Sequence, residues 1–170
     1  MRISYARLDL PTGPAFAAAT EMGLTRLELK APPLGEFAGG LEAEFGVRPM
    51  EDERPFTALA LELKHYFAGE PVVFTSRLDT RGTPFQKKVW RALMDIPYGN
   101  VRSYKWLAGV SGNPGAARAV GGALHGNRIP IVIPCHRVIE SSGGLGGFGA
   151  GLEIKRTLLR VEGVLPPYGV

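Results

Sequence analysis

One thiol and its two charged neighbours are the residues of this sequence best suited to chemistry. Cys135 is the only cysteine among 170 residues, so it cannot form an internal disulfide or belong to a multi-cysteine metal site. A thiolate is a strong nucleophile, and the imidazole of His136 and the guanidinium of Arg137 are groups that make one accessible near neutral pH. The alternative is a small buried cysteine without chemistry. The elements around Cys135 have to decide between the two.

The distribution of charge favours a polyanionic partner for the half of the chain that carries Cys135. Residues 1–80 contain eight Lys/Arg and twelve Asp/Glu, a net charge of −4, whereas residues 81–170 contain twelve and four, a net charge of +8. A basic region that also carries a candidate nucleophile indicates nucleic acid as the first partner to consider. An ordinary solvated surface with uneven charge is the alternative.

Length and composition narrow the class of protein. A chain of this length with 45% hydrophobic residues suits one large domain or two small ones. The sequence contains no apolar run long enough to cross a bilayer, and its first five residues become polar too early for a secretion signal. With one unpaired cysteine, we expect a cytoplasmic protein that does not bind membranes.

Residues 1–80 are predicted to form a small domain made of a sheet and a helix. Short apolar runs predict strands over residues 3–8, 15–19, 24–29 and 72–74. Residues 31–55, which are rich in Pro, Gly and acidic side chains, are predicted to be a long loop. A stripe of apolar residues at helical spacing predicts a helix after Pro55. This domain contains no catalytic constellation, and we expect its role to be structural.

The pattern changes to helices near Asp79–Gly82, so residues 81–170 are predicted to be a second domain. Thr83 and Ser103 are each predicted to cap a helix, Asn113 to cap a third that opens at Pro114, and residues 152–161 to form the last. Two short helices joined by a Gly-containing turn are typical of a helix-turn-helix. The fold class is therefore α/β (α+β), with a sheet domain followed by a mainly helical one.

The second helix of the helix-turn-helix has an unusual composition. Residues 114–123 have small side chains nearly throughout, and Arg118 is the single long charged one. Small residues permit close backbone approach, which suits phosphate contact, shape reading and insertion into stacked bases better than readout of base edges. A tightly packed helix–helix contact is the alternative.

A glycine-rich run, residues 141–151, follows Cys135. It lacks the Gly-Lys-Ser/Thr ending of a phosphate loop. We expect a flexible flap that forms one wall of a pocket, with a simple linker as the alternative.

These segments together resemble a known family. Residues 82–163 resemble the C-terminal domain of the O6-alkylguanine-DNA alkyltransferases, also called methylated-DNA–protein-cysteine methyltransferases. Residues 1–80 resemble that family's N-terminal sheet domain only in size and general pattern. The matching segments, in order, are Gly82-Thr83-Pro84-Phe85-Gln86 with Val89-Trp90, Ser103-Tyr104, Gly112-Asn113-Pro114 with residues 116–121, Gly126-Asn127, the Ile-Pro-Cys-His-Arg-Val run at 133–138, and Glu162-Gly163.

The resemblance implies DNA repair by direct reversal of damage. Such a protein binds double-stranded DNA, extrudes the damaged guanine and moves the alkyl group from O6 to the cysteine sulfur without a cofactor or metal. O4 of thymine is left open as a second substrate. Because the S-alkyl product is a thioether with no good leaving group, we expect one irreversible, stoichiometric event per molecule. We expect a monomer, with cooperative binding along DNA left open.

The resemblance also implies roles for individual residues. Cys135 accepts the alkyl group, His136 deprotonates it through a bound water, Glu162 polarises His136, Asn127 joins this network, and Tyr104 donates a hydrogen bond or proton to the guanine ring. Arg118 fills the space left by the flipped base. The other expected DNA contacts are Ala116, Ala117, Gly121 and Ser103. The expected substrate pocket contains Val138, Phe148, Gly149, Pro130 and Lys155, with the carbonyls of Cys135 and Val138 recognising the exocyclic amine of guanine.

Some residues depart from the family pattern or carry a plainer interpretation. Phe148 and Gly149 stand where many members have tyrosine and serine, so we expect a looser flap and a backbone N–H in place of the serine contact. His125 replaces a basic residue of some relatives, which weakens a phosphate contact. Lys155 and Arg156 are interpreted as phosphate contacts or solvated charges rather than catalysts.

Three other functions remain as alternatives. A non-catalytic lesion-binding protein of the same fold would not need Cys135. A cysteine hydrolase using Cys135 and His136 would leave the helix-turn-helix unexplained. A transcription regulator would need a recognition helix with more hydrogen-bonding side chains than this one has.

Overall fold

The computed structural model describes residues 1–112 and 114–164, and the chain divides into two compact units. Unit 1 contains residues 1–68 and 72–81, and unit 2 contains residues 69–71 and those from Gly82 onward. Strands dominate the first and helices the second, which confirms the mixed α/β class. In the described part of the chain, no helix combines the length and the apolar character needed to span a membrane.

Unit 1 is built on a four-stranded sheet. Its first three strands are β1 (Ile3–Leu10), β2 (Gly13–Thr20) and β3 (Gly23–Glu28). They pair antiparallel through short turns, and the order across the sheet is β3-β2-β1-β4. The fourth strand, β4 (Met50–Glu51), pairs parallel with β1 at the edge. The first three predicted strands are confirmed.

A helix lies where the sequence predicted a loop. Helix α1 (Leu34–Phe45) places Phe37 and Leu41 in the core against the sheet, and the ring of Phe37 stacks on that of Phe16 at 4.8 Å. It ends at Gly46, whose positive φ of 70° and N–H bond to Glu42 form a left-handed cap. The loop prediction for residues 31–55 is therefore wrong, because burial of aromatic side chains outweighs the low helix propensity of three glycines within the helix.

In the rest of unit 1, one prediction from the sequence is confirmed and another is wrong. Helix α2 (Thr57–Phe67) follows a short 3₁₀ turn after Arg54 and buries Leu59, Leu63 and Tyr66. The strand predicted over residues 72–74 is absent from this described stretch, where Val73 is 86% exposed. An apolar run therefore predicted a strand that gains no partner, so this prediction is wrong.

Over its described residues, unit 2 consists of four helices and a two-stranded ladder. In chain order they are α3 (Pro84–Met94), β5 (Arg102–Ser103), α4 (Tyr104–Val110), α5 (Ala117–His125), β6 (Val138–Ile139) and α6 (Leu152–Val161). A 3₁₀ turn, Cys135–Arg137, leads directly into β6. Because β5 pairs parallel with β6, the ladder brings the start of α4 beside the segment that carries the cysteine.

Helix caps explain where α3 and α4 begin. The Thr83 side chain accepts a bond from the Gln86 N–H while the Gln86 side chain accepts one from the Thr83 N–H, which is a complete capping box. The Ser103 hydroxyl accepts a bond from the Trp106 N–H at 3.0 Å. Both predicted caps are confirmed. The indole of Trp90 donates to the Ala123 carbonyl at 2.8 Å and thereby joins α3 to α5.

The second helix of the helix-turn-helix begins later than predicted. Helix α5 starts at Ala117, after Ala116 as a cap residue without a side-chain bond, whereas Pro114 and Gly115 lie in a turn. The prediction that Pro114 opens this helix is therefore wrong. Asn113, the predicted cap, lies outside the described residues.

Candidate active site

Unit 2 contains a cavity of about 460 Å³ whose wall includes Cys135. Four separate segments build it: the start of α4, the second half of α5, the 3₁₀ turn that carries the cysteine, and the flap of residues 141–151. The lining residues are Tyr104, Gly121, Leu124, His125, Cys135, Gly147, Phe148 and Gly149. Five of these eight were predicted site residues, so the structure brings distant parts of the sequence to one place.

A constrained loop presents the cysteine. The N–H of Cys135 donates to the Ile133 carbonyl at 2.8 Å across Pro134, which forms a tight three-residue turn. Ile131 has φ 71°, the single positive value at a non-glycine residue in the described ranges. A β-branched residue in this conformation costs about 1–3 kcal/mol, so it persists only where its surroundings hold it.

Asn127 is the residue that holds this loop. Its amide nitrogen donates to the Ile133 carbonyl at 2.9 Å, and its amide oxygen accepts from the Ile129 N–H at 3.0 Å. The two bonds close the loop that leads to Cys135. The side chain of Asn127 also hydrogen-bonds to Cys135, which favours the thiolate. Asn127 therefore positions Cys135 through the backbone and contacts its side chain directly.

Three buried charged or polar side chains lie next to the cysteine. The Nε2 atom of His136 lies 2.6 Å from a Glu162 oxygen, and the Arg137 guanidinium donates to both oxygens of the same carboxylate at 2.9–3.1 Å. Glu162 also accepts from the Gly99 N–H at 3.2 Å. Arg137 bonds the Ile96 carbonyl as well, at 2.7 Å. Donors from two segments, the turn that carries the cysteine and the turn at Gly99, thus converge on one carboxylate.

The electrostatics of this group define which residue holds a proton. Burial raises the pKa of the Cys135 thiol to about 11, despite the opposing effects of the Asn127 bond and the Lys155 charge. Burial also lowers the pKa of His136. Burial disfavours the charge of Glu162, but its bonds from His136 and Arg137 outweigh that effect and lower its pKa to about 2. At neutral pH the group therefore contains a thiol, a neutral imidazole and a carboxylate.

The side chain of Arg137 does not lie where its position in the sequence, two residues after Cys135, suggested. We expected its guanidinium beside the thiol, but the guanidinium binds Glu162 and Ile96. That expectation is wrong because consecutive residues of a 3₁₀ turn point in different directions. Sequence reasoning named Arg137 but missed its pairing with Glu162. The available signal was Glu162, because a carboxylate that becomes buried requires a cation to compensate its charge.

Tyr104 faces the cysteine across the cavity, where it is one of the lining residues. Burial raises the pKa of its hydroxyl, so the group is a protonated donor at neutral pH. The hydroxyl contacts the Gly147 carbonyl at a long 3.5 Å. A Cβ on Gly146 would come within 2.6 Å of Cε2 of Tyr104, so a glycine at this position is needed for the flap to approach the ring.

Lys155 lies in the interior and not at the surface. Its side chain on α6 is fully buried, and its ammonium donates to the carbonyls of Val138, Leu145 and Gly147 at 2.7, 2.5 and 3.2 Å. The interpretation of Lys155 as a phosphate contact or solvated charge is therefore wrong. The apolar face of α6 draws the stem inward, and the carbonyls replace water around the charge.

The remaining pocket residues differ in how they relate to the cavity. Phe148 and Gly149 line it, whereas Pro130 is half-buried and Val138 fully buried outside its lining. The Val138 carbonyl already accepts from Lys155, but a carbonyl oxygen has two lone pairs and can accept a second donor. Recognition of the guanine amine by this carbonyl stays a prediction, as does the looser flap.

The exposed face of α5 carries the predicted DNA contacts. Ala117, Arg118 and Gly121 are exposed, and Ala116 is half-buried. Arg118 lies one helical turn before Gly121, which lines the cavity, so both residues lie on the same face of the helix. Ser103 caps α4, and a hydroxyl that accepts this bond can still donate its hydrogen. His125 lines the cavity at the exposed end of α5.

Two family models match the chain. Residues 3–80 match the model described as 6-O-methylguanine DNA methyltransferase, ribonuclease-like domain, and residues 84–164 match the corresponding DNA binding domain. Together they cover nearly the whole chain.

Individual relatives agree with these matches. The chain is 44% identical over 160 residues to the methylated-DNA–protein-cysteine methyltransferase of Mycolicibacterium paratuberculosis, covering 94% of this chain and 92% of that protein. It is 42% identical to that of Methanosarcina acetivorans, covering 94% and 97%. Among solved structures, Mycobacterium tuberculosis OGT in complex with DNA superposes with a TM-score of 0.80 at 42% identity, covering 94% and 93% of the two chains.

Proposed function

Because the chain belongs to the methylated-DNA–protein-cysteine methyltransferase family, we propose that it repairs double-stranded DNA by moving an alkyl group from O6 of guanine onto Cys135. The observation that carries this proposal is the cavity in which Cys135 and Tyr104 meet, with the buried His136–Glu162 pair adjacent to the cysteine. The relatives, which are methylated-DNA–protein-cysteine methyltransferases, indicate the reaction, and this geometry supports these residues for it.

The proton of Cys135 has to leave before its sulfur can attack. A thiol with a pKa near 11 is scarcely ionised at neutral pH, so a base is required. The neutral imidazole of His136 is such a base. Because its Nε2 atom is held by Glu162, Nδ1 is the atom that would take the proton, through a water molecule. Glu162 would then stabilise the imidazolium that forms.

Alkyl transfer itself exchanges one bond for another. The sulfur of Cys135 forms a bond to the alkyl carbon while the bond between that carbon and O6 breaks, and the electron pair passes into the guanine. Tyr104, with its proton retained at neutral pH, would donate to the guanine ring and offset this charge. Guanine returns to its undamaged form when a ring nitrogen takes up a proton, which matches the one that the thiol released, and the protein retains a thioether.

DNA binding would bring the base to this cavity. The guanine must leave the stack before a sulfur atom can reach its alkyl group in line. The exposed face of α5 continues into the cavity wall, with Arg118 one turn from Gly121. Arg118 would fill the space left by the base, and the small side chains of Ala116 and Ala117 would allow the backbone to approach the duplex.

The remaining parts of the proposal concern whole regions of the chain rather than individual contacts. Residues 81–170 would bind DNA and accept the alkyl group, while residues 1–80 would have a structural role. The thioether cannot leave easily, so each molecule would react once. The cytoplasmic location, the monomeric state and the use of O4-alkylthymine stay predictions from the sequence.

One experiment tests the proposed function. The protein is incubated with an oligonucleotide duplex containing O6-methylguanine, digested with trypsin, and the peptide of residues 129–137 is weighed by mass spectrometry. We expect one added methyl group on Cys135 and an equal amount of repaired DNA. Cys135→Ser is the matched control, which should bind the duplex but leave it unrepaired. An unmodified peptide with intact binding would favour the lesion-binding alternative, and repeated turnover would contradict a stoichiometric reaction.

A further inference from the structure

Lys155 is a buried cation that the proposed reaction steps leave without a role. Its side chain is fully buried, and burial lowers the pKa of its amine to about 8. A lysine is seldom placed in a protein interior unless its charge is compensated. Here an ammonium with three N–H donors meets three carbonyl oxygens, so each donor has an acceptor.

The three carbonyls belong to two segments that are not otherwise adjacent in sequence. Val138 is the first residue of β6 and follows the turn that carries the cysteine. Leu145 and Gly147 belong to the flap, and Gly147 lines the cavity. One side chain from α6 therefore joins the segment after the nucleophile to the opposite wall of its pocket.

Tyr104 takes part in the same arrangement. The Gly147 carbonyl that accepts from Lys155 also contacts the Tyr104 hydroxyl, and the Lys155 ammonium lies 5.9 Å from the centre of the Tyr104 ring. Displacement of Gly147 would therefore remove the fixed neighbour of the tyrosine. The flap contains glycines with positive φ at positions 143, 146 and 151. Backbone bonds between Glu140 and Gly144 and from Gly151 to Phe148 close its two ends, and the Lys155 bonds hold the part between them.

We infer that Lys155 is a positioning residue that ties the flap wall of the cavity to β6 and so holds the Gly147 carbonyl beside the Tyr104 hydroxyl for alkyl transfer. This inference rests on the proposed function and deepens it. Lys155 does not contact the reacting atoms in this arrangement. It acts through the carbonyls of Val138, Leu145 and Gly147.

The test compares Lys155→Met with the wild-type protein in two measurements. The first is hydrogen exchange of the backbone amides of residues 145–149 relative to those of α3. We expect faster exchange in the flap and unchanged exchange in α3, because only the tether is lost. The second is single-turnover repair, which separates DNA affinity from the rate constant of transfer. We expect unchanged affinity and transfer slower by on the order of 10- to 100-fold, as for reacting groups misplaced by about an ångström.

Two further variants complete the design. Arg160→Met removes an exposed cation from the same helix and should change neither measurement. Lys155→Arg keeps the charge but places its donors differently, so we expect an intermediate effect at the same amides. If Lys155→Met does not fold, both measurements are made on Lys155→Arg instead.

The outcomes separate this inference from the proposed function. Wild-type protection of residues 145–149 together with a wild-type transfer rate in Lys155→Met would overturn the inference while leaving the function intact. Faster exchange throughout unit 2 would also overturn it, because it would show a general loss of stability. Absence of transfer by the wild-type protein would overturn the proposed function, whereas the exchange measurement would still report on the tether.

Discussion

Two buried charges influence Cys135, and their surroundings differ. Glu162 is an anion that binds two side chains, His136 and Arg137, each able to carry a positive charge. Lys155 is a cation surrounded by backbone carbonyls, with no side chain among its hydrogen-bond acceptors. The first arrangement can exchange a proton with its partners, whereas the second holds backbone in place and contributes a positive charge near the thiol. The comparison separates residues that we propose move a proton from one that we propose fixes the geometry.

Removing the anion should have the largest effect. Glu162→Gln would leave the Arg137 guanidinium buried without its carboxylate, which costs about 3–5 kcal/mol of unfolding free energy. It would also remove the group that stabilises protonated His136, so transfer should slow by on the order of 100- to 10,000-fold. Urea denaturation and single-turnover repair measure the two effects. Glu153→Gln, at an exposed position on α6, is the control, and a variant with unchanged stability would contradict the pairing.

Tyr104→Phe should affect the chemistry without the stability. The hydroxyl makes only one long contact of 3.5 Å in the free protein, so its loss should leave the unfolding free energy nearly unchanged. The transfer rate constant should fall about 100-fold, as expected when one donor to developing charge is removed. Single-turnover repair with a parallel thermal melt checks this. A large drop in melting temperature would show that the hydroxyl is structural instead.

In contrast to the buried Glu162 and Lys155, Arg118 is exposed to solvent. Arg118→Ala should slow repair of duplex DNA by about tenfold, which corresponds to about 1.4 kcal/mol of the cost of base extrusion. Reaction with the free O6-alkylguanine base should be unchanged, since that base needs no extrusion. The ratio of the two rates is the measurement. Equal losses would exclude a role in filling the vacated stack.

The two buried charges should also be visible in the pH dependence of stability. Because the pKa of Glu162 is lowered to about 2 in the folded protein, its contribution is present above the ordinary value of 4.5 and is lost as the pH falls towards 2. The pKa of Lys155 is lowered from 10.5 to about 8. The unfolded chain therefore binds more protons between these values, and stability rises with pH there.

Denaturation of wild-type and variant proteins across pH tests these signs. Lys155→Met should lack the rise between pH 8 and 10.5, and Glu162→Gln should lack the acid loss between pH 4.5 and 2. Taking the difference between each variant and the wild type removes the effects of other groups. A Lys155→Met curve parallel to the wild-type curve between pH 8 and 10.5 would contradict the lowered pKa.

The sequence predicted local features well where neighbouring residues determine them. The caps at Thr83 and Ser103 depend on contacts within three residues. Helix α1 was missed because its stability comes from aromatic packing against the sheet, which outweighs its glycines. The strand at residues 72–74 was predicted from an apolar run that finds no partner.

The side-chain network of the site was harder to predict. The resemblance supplied the pairing of His136 with Glu162, which lies 26 residues later, but residue spacing alone could not. It also could not show that Arg137 turns away from the thiol, nor that Lys155 reaches three carbonyls. Those contacts depend on how α6 packs against the turn and the flap, and a linear pattern of charges contains no such distances.

The short ladder between β5 and β6 has a consequence for how a damaged nucleotide would be received. Ser103 pairs with Ile139 in this ladder, Tyr104 follows Ser103 directly, and Cys135 precedes Ile139 by four residues. Main-chain bonds thus fix the separation of the two opposing groups before any DNA arrives. The cavity would not have to close around the damaged base. The nucleotide alone would move, and contacts between the protein and the duplex outside the cavity would supply the free energy of that movement.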